Sequence, residues 1–140
     1  MWSIIFNAIL ILQQHYHGGF YGFQFDWHDA NVMETLVNVM DVNHSTQYMY
    51  VVEEMYEYQN TTMMENWMYN DDLLWFSHSW LRAYQLTGNT TYLGRSVDLF
   101  NNVAESWDNS TCDGGVYWNK YDTYKNAITN ELFIQAAKGL

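Results

Sequence analysis

The sequence predicts an all-α fold, and three observations carry that prediction. No proline occurs among the 140 residues, and the glycines fall mainly between stretches whose apolar residues recur at helical spacing. The helices delimited in this way are of two kinds, one-sided and two-sided. The two-sided ones repeat at a fixed interval along the chain. The length suits a single domain, 1–140, with a buried core, and a 49% hydrophobic share with 19% aromatic residues is far too apolar for a disordered segment.

Six helical stretches follow, at roughly 2–16, 27–42, 46–58, 71–87, 91–107 and 126–138. The first is apolar from Trp2 to Leu12, too short to span a bilayer, and lacks both a basic n-region and a small-residue cleavage site. It therefore predicts a buried helix rather than a signal peptide, and no transmembrane segment is expected. In 27–42 the packing face is Met33, Leu36, Val37 and Met40, with a mixed face of Trp27, Asn31, Glu34 and Asn38. Stretch 71–87 has the same plan: Leu73, Phe76, Trp80 and Ala83 on one side, Asp71, Trp75, His78 and Arg82 on another. Stretch 91–107 is one-sided, with Leu93, Val97, Phe100, Ala104 and Trp107 as its apolar stripe. Between it and the last helix, the turn Asn109–Gly115 and then Val116-Tyr117-Trp118 predict a short hairpin near 114–120.

Tyr48 and Tyr92 each follow a Thr-containing turn, 44 residues apart. At that offset Trp27 falls on Asp71, Asn31 on Trp75, Glu34 on His78 and Asn38 on Arg82, so the mixed faces superpose. A repeated pair of one inner and one outer helix is the unit of an α/α toroid. Its inner helices run parallel, so their N-termini gather at one end. A plain three- or four-helix bundle accounts for the one-sided helices equally well, but leaves helices with two buried faces unexplained.

Sixteen acidic residues against five Lys and Arg give a net charge of −11, the wrong sign for nucleic acid or an anionic membrane surface. Only 15% of residues are charged, so polar recognition falls to Asn, Thr, Ser, Tyr and Trp, the side chains that address sugars. Four sequons, at Asn43, Asn60, Asn89 and Asn109, sit at expected turns or helix ends and point to a secreted or cell-wall-associated protein. The single Cys112 cannot form an internal disulfide. His15 and His17 stand two apart while His28, His44 and His78 are scattered, and Asp41–Ser45 lacks the Gly and closing Glu of a calcium loop. No metal and no cofactor are expected.

Asn70-Asp71-Asp72 opens a helix, and the plain reading of two aspartates there is capping. The neighbours Trp67, Tyr69, Trp75 and Phe76 support a second reading. Retaining glycosidases need two carboxyl groups only ~5–5.5 Å apart, one a nucleophile and one a proton donor. Aromatic burial and mutual repulsion would raise the pKa of one and leave the other ionised. Trp27, Trp67, Trp75 and Trp118 are candidates for stacking on sugar rings, with core packing as the alternative. Asn31 shares the mixed face of its helix, and Asn126 and Asn130 stand four apart on one helix face, where both amides would address hydroxyls.

The segment from Met68 to Leu93, with its Asp71-Asp72 pair, Trp-rich helix and Leu86-Thr87-Gly88 turn, resembles a segment of the glycoside hydrolases of family 76. Trp27–Asn31, Trp107-Asp108, Cys112–Trp118 and Tyr124–Phe133 resemble further blocks of that family, in the same order. The resemblance implies an (α/α)6 barrel, here about half of one, that cleaves α-1,6-mannosidic bonds in mannan with retention and without a metal. Transfer to another sugar is an alternative to hydrolysis. Carried onto this chain, the family's paired aspartates are Asp71 as nucleophile and Asp72 as acid/base. Two other readings stand beside it: a non-catalytic carbohydrate-binding remnant, and another α/α-toroid enzyme acting on different sugars.

Overall fold

The computed structural model describes residues 2–22, 25–62 and 68–140, and these form six helices with no strand. They are α1 (Trp2–Gln13), α2 (Trp27–Val42), α3 (Met49–Thr62), α4 (Asn70–Thr87), α5 (Thr90–Ala104) and α6 (Ala127–Gly139). Local chemistry sets the ends. Asp26 and Asp29 form a capping box at the start of α2, each side chain accepting a backbone N–H from the other's side of the turn. Asn89 and Asn126 cap α5 and α6 by accepting from Thr91 N and Thr129 N. Gly88 ends α4 at φ 71°, where only a residue without a Cβ sits at ease, and its N–H donates to Tyr84 O at 2.7 Å.

Helix α4 is the centre of the domain and packs against α2, α5 and α6. Its Leu73, Phe76, Trp80 and Ala83, and the Met33, Leu36, Val37 and Met40 of α2, are all fully buried, as the helical spacing predicts. Trp80 stacks on Tyr92 at 5.5 Å and meets Tyr56 edge-on at 5.5 Å, while its indole donates to Gln59 Oε1 at 2.7 Å. The mixed faces are half-buried: Asn31, Glu34 and Asn38 on α2, and Asp71, Trp75, His78 and Arg82 on α4.

The helix directions distinguish a toroid from a bundle. Trp27 lies beside Trp75, Ser79 Oγ donates to Ala30 O at 2.7 Å, and Arg82 Nε donates to Asn38 Oδ1 at 2.6 Å. Contacts therefore advance together along both chains, and α2 and α4 run parallel. The Asn38–Arg82 pair is separated by the 44-residue offset itself. Helix α6 follows the same direction, with His78 Nε2 on Leu132 O and Leu81 beside Gly139. Helix α5 runs the other way along α4, pairing Ser96 with Ser77 and Tyr92 with Trp80. Parallel inner helices with an antiparallel outer partner make this a segment of an α/α toroid.

Three expectations need correction. The buried line of α5 is Tyr92, Ser96, Leu99 and Val103, one position off the predicted stripe, and Trp107 is 49% exposed. Ser96 is the cause: its hydroxyl donates to Ser77 O at 2.7 Å and Ser77's donates back to Ser96 O at 2.9 Å, so small polar residues let two helices approach closely. The segment 114–120 is not a hairpin. Val116 bridges to Trp107 and Asn119 to Tyr69, so the segment pairs with its flanks rather than with itself. Nor is α1 the buried helix its apolar sequence predicts: Ile9 is covered, but Ile4, Phe6, Leu10 and Ile11 are exposed, because α1 packs along one line only, and at α6 Ile128, Ile134 and Leu140 are exposed as well.

Candidate active site

The first turn of α4 presents the two aspartates, and neither is its N-cap. Tyr69 holds that position in extended conformation with no side-chain cap bond, and Asn70 N donates instead to Trp118 O at 2.8 Å. The Asp71 carboxylate accepts the Trp118 indole N–H on Oδ2 at 2.9 Å and Asp72 N on Oδ1 at 3.2 Å. Asp72 is half-buried, and its pKa rises from 3.8 to about 7. Loss of water is the main cause, followed by repulsion from Asp71 and then Asp26, with His28 opposing. Up to about pH 7 this carboxyl keeps its proton, beside the Asp71 side chain that accepts two hydrogen bonds.

Aromatic surface flanks the pair. Trp27, 40% exposed, lies 6.5 Å from Trp75 and stacks on His28 at 3.7 Å. On the other side Trp118 sits between Tyr69 at 4.9 Å and Tyr124 at 6.1 Å. The structure thus brings Asp71, Asp72, Trp27, Trp75 and Trp118 together at the end where α2 and α4 begin. Trp67 lies outside the described residues.

Each of the three asparagines bonds to the backbone. Asn31 Nδ2 donates to Trp27 O of its own helix at 3.0 Å. Asn126 Oδ1 is the α6 cap. Asn130 spans the backbone of Val116, accepting from its N at 2.9 Å and donating to its O at 3.1 Å, and also donates to Asn126 O. That two-point clasp replaces the strand pairing expected of the hairpin. Gly115 is required beside it, because at φ +130° a Cβ would sit 2.6 Å from Asn130 Oδ1. Lys125 closes the same loop, donating to Asp108 Oδ2, Asp108 O and Thr111 O at 2.9, 2.7 and 2.8 Å. That ammonium and the Ser110 and Thr111 side chains hold Asp108 well below the usual carboxylate range.

Sequence reasoning missed the acidic neighbour of the pair, Asp26, together with His28. Asp26 Oδ1 accepts both His28 N and His28 Nδ1 at 2.8 Å. The signal was present in the 44-residue offset, which sets Asp26 on Asn70 and His28 on Asp72. Behind them, fully buried Asp29 accepts Tyr21 N at 2.5 Å and Asp26 N at 2.8 Å. Burial lifts its pKa to about 6 against the pull of those bonds.

The fold and the site define an α/α-toroid domain with a carboxylate pair and aromatic flanks at the shared start of its inner helices. Comparison with known proteins gives the family. The model of glycosyl hydrolase family 76 matches residues 10–140, and the chain belongs to that family. A Schizosaccharomyces pombe protein provisionally named a mannan endo-1,6-alpha-mannosidase is 40% identical over 47 residues, 30% of this chain and 11% of that protein. Among solved structures, the GH76A alpha-1,6-mannanase of Salegentibacter sp. HEL1_6 matches with a TM-score of 0.78 at 21% identity, over 89% of this chain. An inactive variant of that enzyme, with two adjacent aspartates changed to alanine and α-1,6-mannotetraose bound, matches at 0.76 and 21% identity. The chain spans 40% of the Salegentibacter chain. No helix among the described residues is long and apolar enough to cross a membrane.

Proposed function

We propose that this chain is the acid–nucleophile portion of a glycosidase that cleaves α-1,6-mannosidic bonds in mannan with retention. The observation that carries it is the asymmetry of the adjacent carboxyls: Asp71 fixed by two donors, Asp72 desolvated and protonated near neutral pH. Family membership and the mannanase neighbour support the substrate class, as does that neighbour's inactivation by changes to two adjacent aspartates. In this reading Asp71 attacks the anomeric carbon while Asp72 gives its proton to the departing glycosidic oxygen, so the C–O bond breaks as the glycosyl ester forms. Asp72 then takes a proton from water, whose oxygen displaces Asp71 from the same carbon. A sugar hydroxyl in place of water makes the step a transfer. Trp27 and Trp75 offer apolar surface for the sugar rings. Secretion fits the same reading, since Asn43 ends α2, Asn89 precedes α5 and Asn109 lies in an exposed loop.

The test is mannan cleavage, followed by reducing-end release, with Asp71→Asn and Asp72→Asn beside the wild type and α-1,6-mannotriose binding measured by calorimetry. We expect each variant to lose at least ~100-fold in turnover while binding persists. A wild type that binds the trisaccharide but never cleaves it would favour the non-catalytic carbohydrate-binding reading. Variants as active as a cleaving wild type would end the catalytic assignment.

A further inference from the structure

We propose that Trp118 is the positioning residue of Asp71, aiming its carboxylate through the indole N–H rather than serving as a stacking platform for sugar. The proposal rests on the reading of Asp71 as nucleophile and assigns it a partner from a different part of the chain. An indole nitrogen only donates, and it brings no charge of its own. A Lys or Arg in that place would neutralise the carboxylate it held, whereas Trp118 orients the group and leaves its charge intact. The bond is 2.9 Å and goes to Oδ2. On Oδ1 the sole partner among the described residues is the longer 3.2 Å bond from Asp72 N, so Oδ1 is the oxygen left to react. A charge-assisted bond from a ring held on both flanks restricts the carboxylate's rotation, and reaction rates depend steeply on that alignment.

The ring is itself fixed from three directions. Tyr69 lies against it at 4.9 Å and Tyr124 meets it edge-on at 6.1 Å. Trp118 N donates to Tyr124 O at 2.7 Å and Trp118 O accepts Asn70 N at 2.8 Å. Asn70 is fully buried and also reaches back, its Nδ2 donating to Tyr117 O at 2.8 Å. The residue just before the nucleophile thus ties down the peptide carbonyls on both sides of Trp118. With both flanks occupied, Trp118 has less face to offer a sugar than Trp27, which is 40% exposed.

The test separates an N–H donor from a ring. Trp118→Phe removes both the N–H and part of the ring, while β-(3-benzothienyl)alanine at the same position keeps the ring's size and lacks only the N–H. Both should lower kcat for mannan by about 10- to 100-fold with KM nearly unchanged. In the ¹H–¹⁵N spectrum of this chain, the indole resonance that Trp118→Phe deletes should move when Asp71→Ala is introduced. A benzothienyl variant with full kcat, or a rise in KM at constant kcat, would overturn the proposal in favour of packing or stacking. So would an indole resonance indifferent to Asp71→Ala. A wild type without mannan cleavage would remove the nucleophile reading alone, since the resonance still decides whether Trp118 holds Asp71.

Discussion

Replacing Asp72 by Asn should make the protein more stable at neutral pH, in a manner that depends on pH. The folded Asp72 holds its proton until about pH 7, whereas in the unfolded chain the same group ionises near its model value of 3.8. Between those two values the folded state binds the extra proton, so stability is fully present below about pH 4 and is lost as pH rises through about 7. About three pH units at ~1.36 kcal/mol each set a ceiling of ~4 kcal/mol, and residual solvent contact at a half-buried group cuts this to ~1–2 kcal/mol. Asn keeps the shape and removes the ionisation. Above about pH 7.5 the variant should melt roughly 3–8 °C higher than the wild type, and below about pH 4 the difference should vanish. Asp29 shifts in the same direction, to about 6, but it is present in both proteins and cancels from the difference. Thermal melts by circular dichroism across that range are sufficient. Two curves separated by a constant amount at every pH would refute the argument, because they would mean that Asp72 ionises alike in both states.

Two further changes test the frame around the site. Gly115→Ala places a methyl group 2.6 Å from Asn130 Oδ1 at a φ of +130°, and it should cost at least ~2 kcal/mol in urea unfolding. Trp80→Phe shrinks a fully buried ring and leaves the buried Gln59 Oε1 without its donor, so denaturation should show a loss of ~2–4 kcal/mol. A loss below ~1 kcal/mol in either case would contradict the packing described.

The inner helices were legible because their period and their burial agree: Leu73, Phe76, Trp80 and Ala83 were assigned inward by spacing alone and are fully buried. The repeat was legible for a similar reason, since a polar pair on the mixed faces, Asn38 and Arg82, keeps the interval in space. Helix α5 was misread by one position because apolar content was taken as the guide, while the closest approach is made by two serines. Asn126 and Asn130 were legible as a pair on one helix face, but their hydrogen-bond partners were not. An amide pair at i and i+4 looks the same in sequence whether it faces a ligand or a passing loop, and the passing loop was expected to pair with itself. The Asp26–His28 neighbour of Asp72 was within reach of the offset, but capping boxes are so common that the residues gave no reason to look.

The site is assembled from two elements of unequal permanence. Asp71 and Asp72 immediately precede the fully buried Leu73 and Leu74, in a helix packed against three others, so the amide hydrogens of α4 beyond its first turn should exchange with solvent only when the whole domain opens. Trp118 rides on a loop joined to its surroundings by isolated bridges and a few side-chain clasps, the kind of segment that opens on its own at far smaller cost. An opening of the loop would therefore leave the carboxylates in place and take away the indole that orients one of them. Exchange protection should fall sharply between residues 73–83 and 114–120, and the fraction of time the loop is closed sets an upper limit on how often the nucleophile is aimed.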